Sequence, residues 1–184
     1  MTWTLVALAD AVPQAWRNGG GQTRELLAWP AATGWRVRMS VADVSAAGPF
    51  SRFDGRERWF AVLDGAGVDL QVGAEQHRLT TASAAFRFDG AAGVACTPVE
   101  GSTRDFNLMA APGRAHLRRA RGALGVTPAA GSLVAAYAHS RGARISLDDG
   151  DLEVPAFHLA WRLQEGSGRG SIVGDDALWM EARP

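Results

Sequence analysis

Two short segments, far apart in the chain, bring together side chains that could do chemistry on one ligand. The first is Trp16-Arg17-Asn18-Gly19-Gly20-Gly21-Gln22-Thr23, and the second is Arg104-Asp105-Phe106-Asn107-Leu108-Met109. Consecutive glycines let a backbone reach positive φ and approach another surface closely, which suits a pocket rim. In an extended segment Asp105 and Asn107 project to the same side and present a carboxylate and an amide together. With Asn18, Arg38, Ser40 and Arg58 they would supply guanidinium donors, amides, a hydroxyl and one carboxylate, a set suited to a small polar acid in a barrel mouth. A tight turn for the first segment, edge hydrogen bonding for the second and a surface ion pair of Arg58 with Asp54 or Glu57 account for the same residues structurally.

Other chemistries lack their residues. All nineteen basic side chains are arginine, so neither a Walker phosphate loop nor a Schiff base has its lysine. Arginine forks bind carboxylates bidentately, which favours an acid as the charged ligand. His77, His116, His139 and His158 are well separated, with no close pair for a strand-borne metal site, and no metal or cofactor is expected. Asp148, Asp149, Asp151 and Glu153 lack calcium-loop spacing and read as a polar hairpin turn. There is no Gly-x-Ser-x-Gly elbow. The single cysteine, Cys96, lies in an apolar strand-like run and reads as a buried, inert thiol.

The elements that must position these groups are strands. In 184 residues with 47% hydrophobic content, short alternating or β-branched runs recur between Gly, Asp and Pro. Trp35 to Ala42 alternates, with Trp35, Val37, Met39 and Val41 on one face and Arg36, Arg38, Ser40 and Ala42 on the other. Gly48 to Gly55 is a loop that Phe50 and Phe53 pin to the core. Arg58 to Leu63 runs into Asp64-Gly65 and returns as Val68 to Val72, a predicted hairpin. Strands follow at Glu75 to Leu79, Ala85 to Phe88, Gly93 to Pro98 and Asp105 to Met109. From Pro112 to Gly131, Ala, Gly and Arg dominate, an exposed connection with Arg114, Arg118, Arg119 and Arg121 as a solvated edge. Ser132 to His139, Arg144 to Leu147 and Asp151 to Leu163 are the later strands, Asp149-Gly150 is a turn, and His158 is a half-buried strand residue. The expected organisation is a first half over 1–110, a connection over 111–131 and a smaller second half over 132–184.

Formal net charge is zero, so no overall field draws nucleic acid or an anionic membrane, and neither is an expected partner. The amino terminus shows no basic-then-apolar leader and no run has the length of a membrane span; a cytoplasmic protein is expected.

A series of segments in fixed order carries a family resemblance. They are Trp16 to Gly21 with Thr23 and Glu25; Arg38-Met39-Ser40-Val41-Ala42 with Val44; Gly48-Pro49-Phe50-Ser51 with Phe53 and Gly55; Arg58; Leu63 to Gly67; Phe86 with Phe88-Asp89-Gly90; and Asp105 to Met109. On these the chain resembles the HutD/Ves family of small bacterial proteins over nearly its whole length. The resemblance implies an all-β, cupin-like fold with two small β-barrels in one chain, a bicupin. It also implies an association with histidine utilisation, which such a protein would moderate by binding a small intermediate. Two departures stand out: Val37 and not Trp precedes Arg38, with Trp35 two positions earlier, and Ala110-Ala111-Pro112-Gly113 replaces a basic pair and Gly. The His-x-His of metal-using cupins is absent.

The expected function is therefore a metal-free binding protein for a small carboxylate metabolite, such as a formylated or formimino intermediate of histidine breakdown. Trp16, Asn18, Arg38, Ser40, Arg58, Asp105 and Asn107 form its ligand site, and a homodimer is compatible with it. Two alternatives stand beside it: a metal-independent isomerase or hydrolase with Asp105 as general base, and a regulatory protein-interaction module using the arginine-rich connection or a sheet edge.

Overall fold

The computed structural model describes residues 2–183. Apart from one 3-10 turn at Leu8–Asp10, its regular elements are strands: β1 (Thr4–Ala7), β2 (Pro13–Ala15), β3 (Gly21–Trp29), β4 (Val37–Val44), β5 (Gly48–Pro49), β6 (Glu57–Asp64), β7 (Val68–Val72), β8 (Glu75–Leu79), β9 (Phe86–Asp89), β10 (Val94–Pro98) and β11 (Thr103–Ala110). Then follow β12 (Ala115–Val126), β13 (Leu133–Ala138), β14 (Ala143–Leu147), β15 (Gly150–Val154), β16 (His158–Leu163) and β17 (Gly170–Ala182). Among the described residues no helix is long and apolar enough to cross a membrane. The chain divides into two compact units, one of Val12–Gly113 and one that joins the residues up to Ala11 to those from Arg114 onward.

In the Val12–Gly113 unit a six-stranded antiparallel sheet, β2-β3-β4-β11-β6-β9, and a four-stranded one, β5-β10-β7-β8, enclose an apolar core. Val44, Phe60, Val62 and Phe88 from the first sheet meet Val68, Leu70, Val94 and Cys96 from the second. The alternation expected in β4 is present, and both of its faces are buried: Val37, Met39 and Val41 on one, Ser40, Ala42 and Val44 on the other. Trp35, expected on that strand, lies before it; its ring stacks under the Arg56 guanidinium at 4.6 Å and meets Phe53 edge-on.

The turn at Asp64-Gly65 forms, but it does not make the predicted hairpin. β6 pairs with β9 and β11, whereas β7 pairs with β8 and β10. The turn therefore hands the chain from one sheet to the other, so that Phe60 and Val62 face Val68 and Leu70 across the core. Gly65 has φ +92°, and a Cβ there would lie 2.6 Å from the Ser102 carbonyl, so this crossover tolerates only glycine. Alternation read from sequence finds strands well and their partners poorly, because either pairing buries the same residues.

The second unit is a seven-stranded antiparallel sheet, ordered β1-β16-β13-β17-β14-β15, with β12 running along β17. The thirteen-residue β17 pairs β13 through Ala177 to Ala182 and β14 through Gly170 to Val173, and the sheet changes partners near Gly174. Val134, Ala136, Ile145, Ala160, Ile172 and Trp179 fill its core. A buried Arg162 grips Asp149 with two bonds of 2.8 and 2.9 Å, donates to Gln164 and lies over the Trp3 ring at 4.6 Å.

Two expectations about organisation change here. The stretch expected as a connection over 111–131 contains the twelve-residue strand β12. Ala115, Leu117, Ala120 and Val126 are buried along it, but a register shift between Ala120 and Gly122 breaks the two-residue period, which hides the strand from pattern reading. Its Arg118 and Arg119 reach Glu181 and Asp176, so two of the four arginines of the expected edge make ion pairs within the sheet. The first eleven residues, expected with the first half, instead place β1 beside β16. The long strand expected over Asp151 to Leu163 is interrupted at Pro155, with Phe157 at φ +60°.

Candidate functional site

The β4, β11 and β6 registers assemble the site. Asn107 lies between Ser40 and Phe60, and Met109 lies between Arg38 and Arg58. Because side chains alternate, these residues share the inner face of the Val12–Gly113 unit. There they line a cavity of about 470 Å³, together with Trp16, Arg17, Asn18, Thr23, Ala42, Val44, Pro49, Phe50, Ser51 and Phe53.

The glycine run shapes the rim. Gly19 takes φ +71°, and a Cβ on Gly21 would lie 2.4 Å from the Asp43 carbonyl and 3.1 Å from the Trp16 ring. Trp16 is thereby folded back over the start of β3, where its indole N–H donates to Thr23 Oγ1 at 2.8 Å and its ring meets Phe50 edge-on. Asn18 Oδ1 accepts from Gly20 N–H at 3.0 Å, and the Asn18 amide nitrogen packs against Gly48, where a Cβ would come within 2.9 Å. On the opposite face of the sheet Asp43 accepts from Gln22, Arg24 and Arg104, which ties β3, β4 and β11 in register. Burial pulls the Asp43 carboxyl upward, but these hydrogen bonds outweigh it and hold its pKa below the usual value.

Arg58 is the centre of the cavity's electrostatics. The residue is 5% exposed, and its guanidinium lies 4.9 Å from the Phe50 ring centre, 5.1 Å from Phe88 and 5.7 Å from Phe53. Nη2 donates to Asn107 Oδ1 at 2.8 Å, Nη1 makes a long contact to the Ser51 carbonyl, and Nε is buried without a protein partner. Among the described residues no carboxylate lies within ion-pair distance of it. Glu57, one candidate partner from sequence, pairs with Arg87 instead. Burial, and then the repulsion of Arg38, lower the Arg58 pKa to about 10, so it stays charged at neutral pH.

Arg58 also orients Asn107. With Oδ1 accepting from the guanidinium, the amide NH2 of Asn107 remains as a donor. Arg38 is held from the other side, where its Nε donates to Glu25 Oε2 at 2.6 Å. Around these polar groups stand Trp16, Phe50, Phe53, Phe60 and Met109, so the cavity has donor heads set in aromatic and apolar walls.

Trp16, Asn18, Arg38, Ser40, Arg58 and Asn107 thus line one cavity, as the sequence places them, but Asp105 does not. It occupies the same strand face one step further along β11, between Ala42 and Val62, and is fully buried. Thr103 Oγ1 donates to its Oδ2 at 3.2 Å, and Oδ1 has no partner. Burial raises its pKa to about 8, against the opposing Thr103 hydrogen bond, so it holds its proton at neutral pH. A protonated acid off the cavity wall is not a base for a molecule in the cavity. Two of the lining residues that sequence reasoning left out, Phe60 and Met109, follow from the two-residue period that already pairs them with Arg58 and Asn107. Among the described residues no group of three His, Cys, Asp or Glu comes together as a metal site. The His158 ring nitrogen meets the Ala156 carbonyl at 2.8 Å.

Curled antiparallel sheets and a cavity on the inner face of a strand barrel define a protein of the cupin fold. Bacillus subtilis oxalate decarboxylase shares that fold with a TM-score of 0.62 at 8% identity, over 97% of this chain and 76% of the other. The HutD family profile matches residues 8–180, and the chain belongs to the HutD family. A conserved protein of unknown function from Pseudomonas aeruginosa PAO1 superposes with a TM-score of 0.85 at 30% identity, covering 99% of this chain and 98% of that one. HutD from Pseudomonas fluorescens SBW25, solved in a formate condition, gives 0.82 at 28% identity over all of both chains. An uncharacterized 21.2 kDa protein in the hutC 3' region of Pseudomonas putida is 37% identical over 116 residues, which are 62% of this chain and 61% of the relative. Protein Ves of Citrobacter koseri is 40% identical over 97 residues, about half of each chain.

Proposed function

We propose that this protein binds a small carboxylate-bearing metabolite in the cavity of its Val12–Gly113 unit and through it moderates histidine utilisation. The observation that carries the reading is Arg58: a desolvated guanidinium that no carboxylate of the described residues neutralises, in a cavity whose remaining polar groups are mainly donors. A buried unpaired charge is costly in the free protein, and an incoming carboxylate relieves that cost. Arg38, Ser40 and the Asn107 amide then read the polar end, and Trp16, Phe50 and Phe53 cover the body of the ligand. The cavity volume suits a molecule of metabolite size. The hutC-region relative and the P. fluorescens HutD support the pathway assignment, and formylated or formimino acids from histidine breakdown are its ligand class.

The test is calorimetric titration with urocanate, formylglutamate and formiminoglutamate. At least one binds, and Arg58→Gln weakens it by about 2–3 kcal/mol, roughly 30- to 150-fold. Folded wild-type protein that gives no heat with any of the three overturns the reading.

A further inference from the structure

The second unit holds an arginine in the same chemical surroundings as Arg58, with one addition. Arg162 on β16 lies opposite Val134 on β13, so its side chain enters the face whose core includes Val134, Ala136, Ala160 and Trp179. Like Arg58 it is buried, with 3% of its side chain exposed, and lies against an aromatic ring, here Trp3 at 4.6 Å. Like Arg58 it is also held by a side-chain amide oxygen: Gln164 Oε1 accepts from Nε at 3.2 Å and from Nη2 at 2.9 Å. The addition is a carboxylate. Asp149 Oδ2 accepts from Nη1 at 2.8 Å and Oδ1 from Nη2 at 2.9 Å, the two parallel bonds by which a free carboxylate binds a guanidinium.

The carboxylate does not come from the wall that holds the arginine. Asp149 belongs to the two-residue turn between β14 and β15, β15 is the edge of the sheet, and the Asp149 side chain is 35% exposed. Its neighbour pins the turn: Arg169 N–H donates to Asp148 Oδ2 at 2.8 Å, and Asp148 N–H donates to the Arg169 carbonyl at 3.1 Å. Desolvating such a pair costs about as much as the pairing returns, so stability alone does not account for an arginine at this place. We propose that Arg162 is a second carboxylate-binding site, closed in this chain by Asp149, which occupies it as an internal ligand. Asp149 is already positioned, whereas a free carboxylate must be immobilised to compete, so the site stays shut to solutes. If the cavity binds its metabolite as read above, the wild-type chain therefore takes one such ligand, at Arg58, and not a second at Arg162. The closed site itself does not rest on that reading.

The experiment opens the site and refills it. Asp149→Gly removes a methylene and a carboxylate, the heavy atoms of acetate, from a turn that accommodates glycine. Thermal melting of the full-length protein is followed in sodium acetate and in sodium chloride at equal ionic strength. Asp149→Gly melts below wild type in chloride, and acetate raises its melting temperature saturably, by at least about 3 °C more than it raises that of wild type. The wild-type response measures whatever acetate binds at Arg58, so the excess belongs to the opened site. Asp149→Asn, which fills the same volume, and the double variant Asp149→Gly with Arg162→Gln gain no more than wild type. Should Asp149→Gly fail to fold in chloride, refolding in acetate restores native tryptophan emission. An Asp149→Gly protein that responds to acetate as wild type does, or that stays unfolded in acetate, overturns the proposal. So does an equal gain in Asp149→Asn or in the double variant. A wild type that binds none of the histidine-derived acids overturns the cavity reading and leaves the acetate result standing.

Discussion

Replacing Asp105 by Asn should stabilise the protein, and more so as pH rises. In the folded chain the carboxyl is fully buried, one oxygen accepts from Thr103, and burial lifts its pKa from 3.8 to about 8. An unfolded Asp105 gives up its proton near 3.8, so between that pH and about 8 the folded state binds one proton more than the unfolded state. Stability from this group is therefore full below the unfolded pKa and falls by ~1.4 kcal/mol for each pH unit through that window. At pH 7, about three units into the window, the loss is ~4 kcal/mol as an upper bound, and local relaxation brings the expectation to ~2–4 kcal/mol. Asn has nearly the same shape, has no proton to lose and keeps an oxygen for the Thr103 hydroxyl. Urea unfolding of both proteins at pH 5, 6, 7 and 8, followed by tryptophan fluorescence, gives the difference directly. Carboxylates such as Asp43, held low by their partners, act on both proteins alike and cancel. The expected result is an advantage for Asp105→Asn that grows by at least ~1 kcal/mol per pH unit from pH 5 to pH 7. A difference that stays flat within about 0.5 kcal/mol over that range would refute the protonated, desolvated state of Asp105.

Other outcomes follow from the same packing. Gly21→Ala drives a Cβ to 2.4 Å from the Asp43 carbonyl and into the Trp16 ring, so it should cost about 1–3 kcal/mol and alter Trp16 emission; a melting temperature equal to wild type would contradict the close approach. Cys96 is 1% exposed, and burial, followed by the nearby Asp105, pushes its thiol up to about 12, so the native protein should resist a thiol-specific disulfide reagent at pH 8 and react once unfolded. Stoichiometric labelling of the native protein within minutes would show that the β10 core opens readily.

The strands around the site were legible in the sequence because each alternates apolar and polar positions over a two-residue period. Val37, Met39 and Val41 against Arg38, Ser40 and Ala42 is a pattern that permits one backbone and one division of faces. Where the period breaks, legibility ends. Ala115 to Val126 was hidden as a strand by the shift near Gly122, and Asp64-Gly65 signalled a turn without revealing that its arms enter different sheets. The family resemblance carried residues from both segments toward one site, and six of the seven candidates do line one cavity.

Residue types and their alternation were thus enough to determine an all-β chain, an arginine-only cation set and the inner face that holds Arg38, Ser40, Arg58 and Asn107. Tertiary structure alone decided which of those side chains face open space and which are sealed. Asp105 and Asn107 sit two residues apart on one strand face and look equivalent in sequence, yet Asn107 reaches the cavity while Asp105 is closed in between Ala42 and Val62. The physical reason is that alternation specifies a face, whereas the depth at which a side chain leaves water depends on what the neighbouring strands bring opposite it. That depth determines the charge of each group: it keeps a proton on Asp105, leaves Arg58 charged without a carboxylate, and makes Glu25 the acid that balances Arg38.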